Sequence, residues 1–183
     1  FPPIHRLFIH RQRRGRALRH RRRAFENDGG GVMEVSVQRS GDEGDTPADW
    51  QIKSLGDLGV WLSGGTPKMS NETYWGGDIP WVSPKDMKRP RLKDSLVHVT
   101  KEALGNGAKL APQKSILLVV RGMILAHSFP VARAERSMAF NQDIKALVTH
   151  DSVDSNFLLW WLRSNRRTFL SRTTKEHYDV EAM

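Results

Sequence analysis

Asp143-Ile144-Lys145 sets a carboxylate and an ammonium two residues apart, and on an extended strand such residues share one face. A metal-dependent nuclease uses that pairing, and it needs a second carboxylate to complete the magnesium site. Asp78 and Asp86 are the candidates for it, although neither sits in a clear strand pattern. The competing reading makes Asp143 and Lys145 the ordinary polar face of a strand whose other face carries Ile144.

Other chemistries are narrowed by composition. With no cysteine among 183 residues, the chain has no disulfide framework, cysteine-ligated zinc, iron–sulfur cluster or thiol nucleophile. His98, His127, His150 and His177 are scattered, with no His-x-x-x-His pair in the body, which argues against a histidine metal site. Gly64-Gly65-Thr66-Pro67 is followed by no helical pattern and no Gly-Lys-Ser/Thr, so it reads as a tight turn rather than a phosphate cradle. The Asn/Asp-Pro-Pro-aromatic motif of adenine methyltransferases is absent.

Basic side chains of the body gather in two places. Lys85, Lys88, Arg89, Arg91 and Lys93 crowd one loop around Pro90, and Arg121, Arg133 and Arg136 flank another. Loops on a rigid sheet can bring such groups to base edges and phosphates together; a solvated surface is the alternative. The six tryptophans (Trp50, Trp61, Trp75, Trp81, Trp160 and Trp161) either stack on bases or serve as core and rim.

These residues need a scaffold. Bursts of apolar residues broken by Gly56 and Gly59 over 50–62 predict short strands joined by turns. Residues 115–120 form a continuous apolar run of strand length, expected to be buried on both faces. Residues 138–148 read as a strand pair or a bent strand. Thr100 is expected to cap a short helix over 101–104, stopped by Gly105 and Asn106. The strongest helix spans 155–170, capped by Asp154 or Ser155. Its apolar face carries Phe157, Leu158, Trp161, Leu162, Phe169 and Leu170, which puts Trp161 in the core. Strands followed by a late helix predict an α+β domain. The longest apolar run falls far short of the roughly 20 residues of a membrane helix.

The net charge of +9 is concentrated at one end. Residues 1–32 hold nine arginines against Glu26 and Asp28, so +7 of it sits there. This head shows no helical or strand period and reads as a disordered basic arm, or as an artefact of the assigned start, since Met33 opens a stretch of different composition. Residues 33–49 read as an acidic linker, and 50–183 as the domain.

Read in order, the body resembles a target recognition domain from the specificity subunit of type I restriction–modification systems. The resemblance is carried by WQIKSLGDLGVWLSGGTPKMSNETYWGGDIPWVSPKDM from Trp50, by APQKSILLVVRGMILAHSFPVARAERSMAFNQDIKALV from Ala111, and by FLLWWLRSNRRTFLSRTT from Phe157. It implies an α+β domain with a twisted, mostly antiparallel sheet, short helices and DNA-reading loops. It also implies a non-catalytic reader of double-stranded DNA; the two basic loops then make Lys85, Lys88, Arg89, Arg91, Lys93, Arg121, Arg133 and Arg136 the expected contacts. The resemblance assigns Asp143-Ile144-Lys145 to a recurring structural block.

Methyltransferase subunits that methylate adenine and a restriction nuclease subunit are the implied partners, with S-adenosylmethionine, magnesium and ATP held by those subunits and none by this chain. The implied setting is the prokaryotic cytoplasm, in defence against foreign DNA. The chain reaches Met183 without a long heptad helix or a second recognition domain, so it is expected to be one half of a specificity subunit, a truncated product or fragment. The readings from other classes are the small magnesium-dependent nuclease of Asp143 and Lys145, and a non-specific binder acting through the arginine-rich head.

Overall fold

The computed structural model describes residues 7–11, 33–36 and 50–170, with side chains over 53–170. Two units are distinguished, one ending at Ser54 and the other beginning at Leu55. In the first, β1 (Leu7–Arg11), β2 (Met33–Ser36) and β3 (Trp50–Lys53) form an antiparallel sheet in the order β2-β1-β3. Ile9 is in register with Val35 on one side and Gln51 on the other. Strand β1 falls within the stretch expected to be the basic head and β2 within the one expected to be the linker. Leu7-Phe8-Ile9 is a short apolar burst with strand-forming residues, too brief to register as a period but long enough to pair. The rest of 1–49, and 171–183 at the far end, lie outside the described residues.

The second unit holds two sheets. After a 3-10 turn at Leu55–Leu58, β4 (Gly59–Ser63) and β5 (Trp75–Val82) are followed by the two-residue β6 (Arg91–Leu92) and by β7 (Val97–Val99). Next come β8 (Lys109–Ala111), β9 (Ile116–Val119), β10 (Val131–Ala134), β11 (Met138–Phe140) and β12 (Ile144–Thr149). Helices α1 (Ser155–Ser164) and α2 (Arg166–Leu170) close it. One sheet has the order β4-β12-β9-β10-β6 and the other β7-β5-β11-β8. Pairing is antiparallel except for β10 with β6 and β11 with β5. The α+β, mostly antiparallel expectation holds, with the strands shared between two sheets.

The 115–120 run contains β9, the middle strand of the larger sheet, and each of the four strand residues is fully buried. Such a strand has no polar face because both sides are covered. Residues 138–148 are β11 and β12, but they do not pair with each other: the chain crosses to the smaller sheet for β11 and returns for β12. The turn 141–143 is therefore the joint between the sheets.

The Gly64-Gly65 turn is fitted against that joint. Gly64 N–H donates to Ile144 O (3.3 Å), Gly65 N–H to Phe140 O (2.9 Å), and Trp81 Nε1 to Gly65 O (3.1 Å). A Cβ at Gly64 would run into the carbonyl of Asn141 and the ring of Phe140, so glycine is required there by close approach.

Helix α1 starts where expected. Asp154 Oδ1 accepts from Asn156 N–H (2.6 Å) and Phe157 N–H (3.2 Å), satisfying two donors left over by helix geometry. The expected single helix is interrupted at Asn165, whose side chain donates to Trp161 O (2.9 Å). Leu158, Leu159, Trp161, Leu162 and Phe169 are buried, and α1 lies against β10 and β9. Phe169 stacks on Phe129 at 5.0 Å and meets Trp161 edge-on at 5.8 Å. Trp161 is in the core as expected, while Trp160 stays half-exposed on the outer face.

Under the smaller sheet, Val99, Ala103, Ala108 and Ala139 pack beneath Tyr74, Trp75, Ile79, Trp81 and Leu104. Thr100 does not act as the expected side-chain cap. The segment is a 3-10 turn at Lys101–Ala103, and Thr100 Oγ1 donates instead to Thr73 O (2.8 Å), a tertiary partner that local sequence does not reveal. Among the described residues, no helix is long and apolar enough to cross a membrane.

Candidate nucleic-acid interface

Strands β5 and β11 end side by side, and the next residues weld this rim together. Asn141 N–H donates to Val82 O (2.9 Å) and Val120 N–H donates to Asp143 O (2.8 Å). Arg121 follows directly, with Nη2 donating to Gln142 O (2.7 Å) and Nε 3.6 Å from Asp143 Oδ1. The turn is braced from within by the buried Asn141, whose side chain donates to Asp143 Oδ2 (2.9 Å) and accepts from Asp143 N–H (3.2 Å). From the glycine turn, Thr66 Oγ1 donates to Gln142 Oε1 and orients that exposed amide. A fixed, half-exposed guanidinium thus sits beside a fixed, exposed carboxamide. Those are the two groups that pair in bidentate fashion with guanine and adenine edges.

The 83–96 connection is built around Asp86. Its Oδ2 accepts from Ser83 N–H and Ser83 Oγ (both 2.8 Å), and its Oδ1 accepts from Leu96 N–H (3.0 Å), so one carboxylate ties the two ends of the loop. Met87 is buried, while Lys85, Lys88, Arg89 and Lys93 are exposed. These four cations project from a held loop, which lowers the ordering entropy of binding. Near the loop's end, the Ser95 N–H and the His98 ring hold the Asp94 carboxyl below the usual carboxylate range.

The other three arginines are placed elsewhere. Val131 of β10 lies opposite Leu118 of β9 and Arg133 opposite Ile116, so Arg121 and Arg133 flank opposite ends of the β9–β10 pair. Arg133 is only 8% exposed. Its Nε donates to Ser155 Oγ (3.0 Å) and its Nη1 to Glu135 Oε1 (2.7 Å). It is therefore a bracket between β10 and the start of α1, and it leaves the set of candidate contacts. Arg91, in register with Arg133, reaches Asn156 Oδ1 (2.9 Å) and lies 3.9 Å from Glu135. Arg136 donates to Asp78 O (3.1 Å). Both remain exposed, but the structure does not bring them together with Arg121.

Arg133→Ala is expected to destabilise the fold by about 2–3 kcal/mol, because it removes the partner of the buried Ser155 hydroxyl and leaves Glu135 with only the more distant Arg91 at 3.9 Å. Lys85→Ala and Lys88→Ala should stay within about 0.5 kcal/mol of the parent. Urea unfolding of the three variants checks this contrast.

Two of the three carboxylates named for the nuclease alternative are committed. Asp86 closes the 83–96 loop and Asp143 is held by Asn141 and Arg121. Among the described residues, no three of His, Asp and Glu converge on a position that could hold a metal ion. Sequence reasoning passed over Thr66 and Gln142, which lie 76 residues apart and inside blocks read as scaffold. The available signal was the pairing of two hydroxyl- and amide-bearing turns, each flanked by strands.

Comparison with known proteins adds a family and a fold. Residues 47–179 match the family described as type I restriction modification DNA specificity domain. The chain is 37% identical over 125 residues to the specificity subunit of the type I restriction enzyme EcoR124I/EcoR124II of Escherichia coli, covering 67% of this chain and 31% of that protein. It is 31% identical over 127 residues to the type I restriction enzyme MjaIX specificity subunit of Methanocaldococcus jannaschii, covering 67% of this chain and 28% of that one. The chain thus spans about a third of the length of these relatives. Among solved structures, one concerned with complex assembly and conformational transition of the type I R-M system has a similar fold. Its TM-score is 0.59 at 21% identity, over 76% of this chain and 33% of that one. The HsdS subunit from Thermoanaerobacter tengcongensis gives 0.56 at 20% identity, over 73% and 32%.

Proposed function

Because the chain belongs to the type I restriction modification DNA specificity domain family, we propose that its body reads a short sequence in double-stranded DNA. The observation that carries this reading is the rim where Arg121 and Gln142 are held side by side, with Gln142 oriented by Thr66. The exposed cations Lys85, Lys88, Arg89 and Lys93 on the neighbouring loop supply phosphate contacts. The domain acts as the target-recognition part of a specificity subunit. It carries no catalytic group of its own and directs methyltransferase subunits and a restriction nuclease subunit to their site. S-adenosylmethionine, magnesium and ATP belong to those partners. Methylation of host DNA and restriction of foreign DNA place its work in the prokaryotic cytoplasm.

The test is selection of duplexes from a random pool by the full chain at moderate salt. A short enriched motif is expected; binding without any motif would overturn the proposal and leave the arginine-rich head as the source of affinity. On the selected duplex, Arg121→Ala should cost about 1–3 kcal/mol and relax preference at one base pair. Lys88→Ala should weaken every sequence alike and flatten the salt dependence by about one unit of slope.

A further inference from the structure

The loop that follows Arg121 has an unusual form. Gly122 adopts φ 104° and ψ 159°, a conformation open to glycine and hardly to other residues. A Cβ there would meet nothing within 4 Å, so the backbone path, not packing, requires the glycine. That path lifts the chain into a single 3-10 turn, Met123–Ala126. The turn is well held: Leu125 is buried beneath it, Leu125 N–H donates to Gly122 O (3.1 Å), and His127 and Ser128 N–H both donate to Ile124 O (3.1 and 2.9 Å). At its tip Met123 is 87% exposed, with Ile124 partly exposed beside it. No Asp or Glu occurs from 121 to 134, and Arg121 and His127 stand exposed at the two feet of the turn, Arg121 with the Asp143 carboxylate 3.6 Å away.

An apolar tip on a rigid turn, with an arginine and a histidine at its base, fits one kind of partner. Two side chains are far too few for a stable protein–protein interface, which takes about 1,000 Å² or more. One apolar side chain is enough to part a base step in a duplex whose phosphates are held by neighbouring cations. We infer that Met123 is a wedge that enters a base step of the bound DNA, with Ile124 behind it, His127 against the strand on one side and the base-reading Arg121 on the other. This deepens the proposed DNA reading and rests on it.

The test uses the full chain and a duplex that it has enriched, carrying dyes at its two ends and, in separate preparations, 2-aminopurine in place of single adenines. Met123 is a surface residue, so Met123→Ala folds as the parent does. Binding of the parent is expected to kink the duplex by about 20° or more, read as a change in end-to-end energy transfer. Met123→Ala should abolish the kink and bind at least tenfold more weakly with an unchanged salt slope, whereas Met123→Leu should retain both. Where an adenine adjoins the parted step, 2-aminopurine fluorescence rises with the parent and not with Met123→Ala. A straight duplex under the bound parent, or a kink that survives in Met123→Ala, would overturn the wedge while leaving sequence reading intact. If the full chain enriches no duplex at all, the DNA reading fails first and the wedge falls with it.

Discussion

Phe169→Ala is expected to cost about 3–5 kcal/mol of folding stability. The ring is fully buried, stacked on Phe129 at 5.0 Å and edge-on to Trp161 at 5.8 Å, so its removal leaves a void that two other large rings line. Phe129 stands at the foot of the 121–130 loop, which links the closing helix to the rim that carries Arg121. The variant should therefore lose specific DNA binding as well as stability. Trp160→Ala on the outer face of α1 should cost about 1 kcal/mol or less, because half of that ring already faces water. Urea unfolding of the two variants, with the parent as reference, separates them. Equal losses would mean that α2 is not seated as described.

Gly64→Ala is the second large effect, at about 3 kcal/mol. The added methyl meets the backbone carbonyl of Asn141 and the buried Phe140 ring, and neither can withdraw cheaply because both belong to the joint between the sheets. Relief requires the glycine turn to move away, which removes Thr66 from Gln142 and loosens the turn that fixes Arg121. The expected outcome is a lower unfolding midpoint together with a loss of sequence preference larger than the loss of non-specific affinity. Denaturant unfolding and competition with unrelated duplex measure the two parts. A variant as stable as the parent would show that the turn is not wedged between the sheets, and that its glycines serve another end.

Much of the scaffold was legible in the chain itself. The apolar run of β9, the Asp154 cap of α1, the core position of Trp161 and the turn at Gly64-Gly65 are all signalled within a few residues, by period, cap chemistry or backbone freedom. The α+β class follows from the same signals, and the ordered blocks carried the family resemblance. The strand at Leu7–Arg11 and the break at Asn165 were missed because each is shorter than the window in which periodicity is read.

The candidate site was legible only as a pool of cations. How its side chains are held was decided by partners far away in sequence: Ser155 for the buried Arg133 at a separation of 22 residues, Asn156 for the exposed Arg91 at 65, and Gln142 for the neutral Thr66 at 76. An arginine in a loop-like stretch carries the same local signal whether it ends as a buried bracket or at a rim. Burial and pairing depend on what the fold brings to it. Residue types and local spacing thus determined most of the elements, and the class of partner came from the family resemblance of the ordered blocks. The crossing of the chain between two sheets at 141–143 determined which side chains are held together, because only that joint sets Arg121, Gln142 and Thr66 at one place.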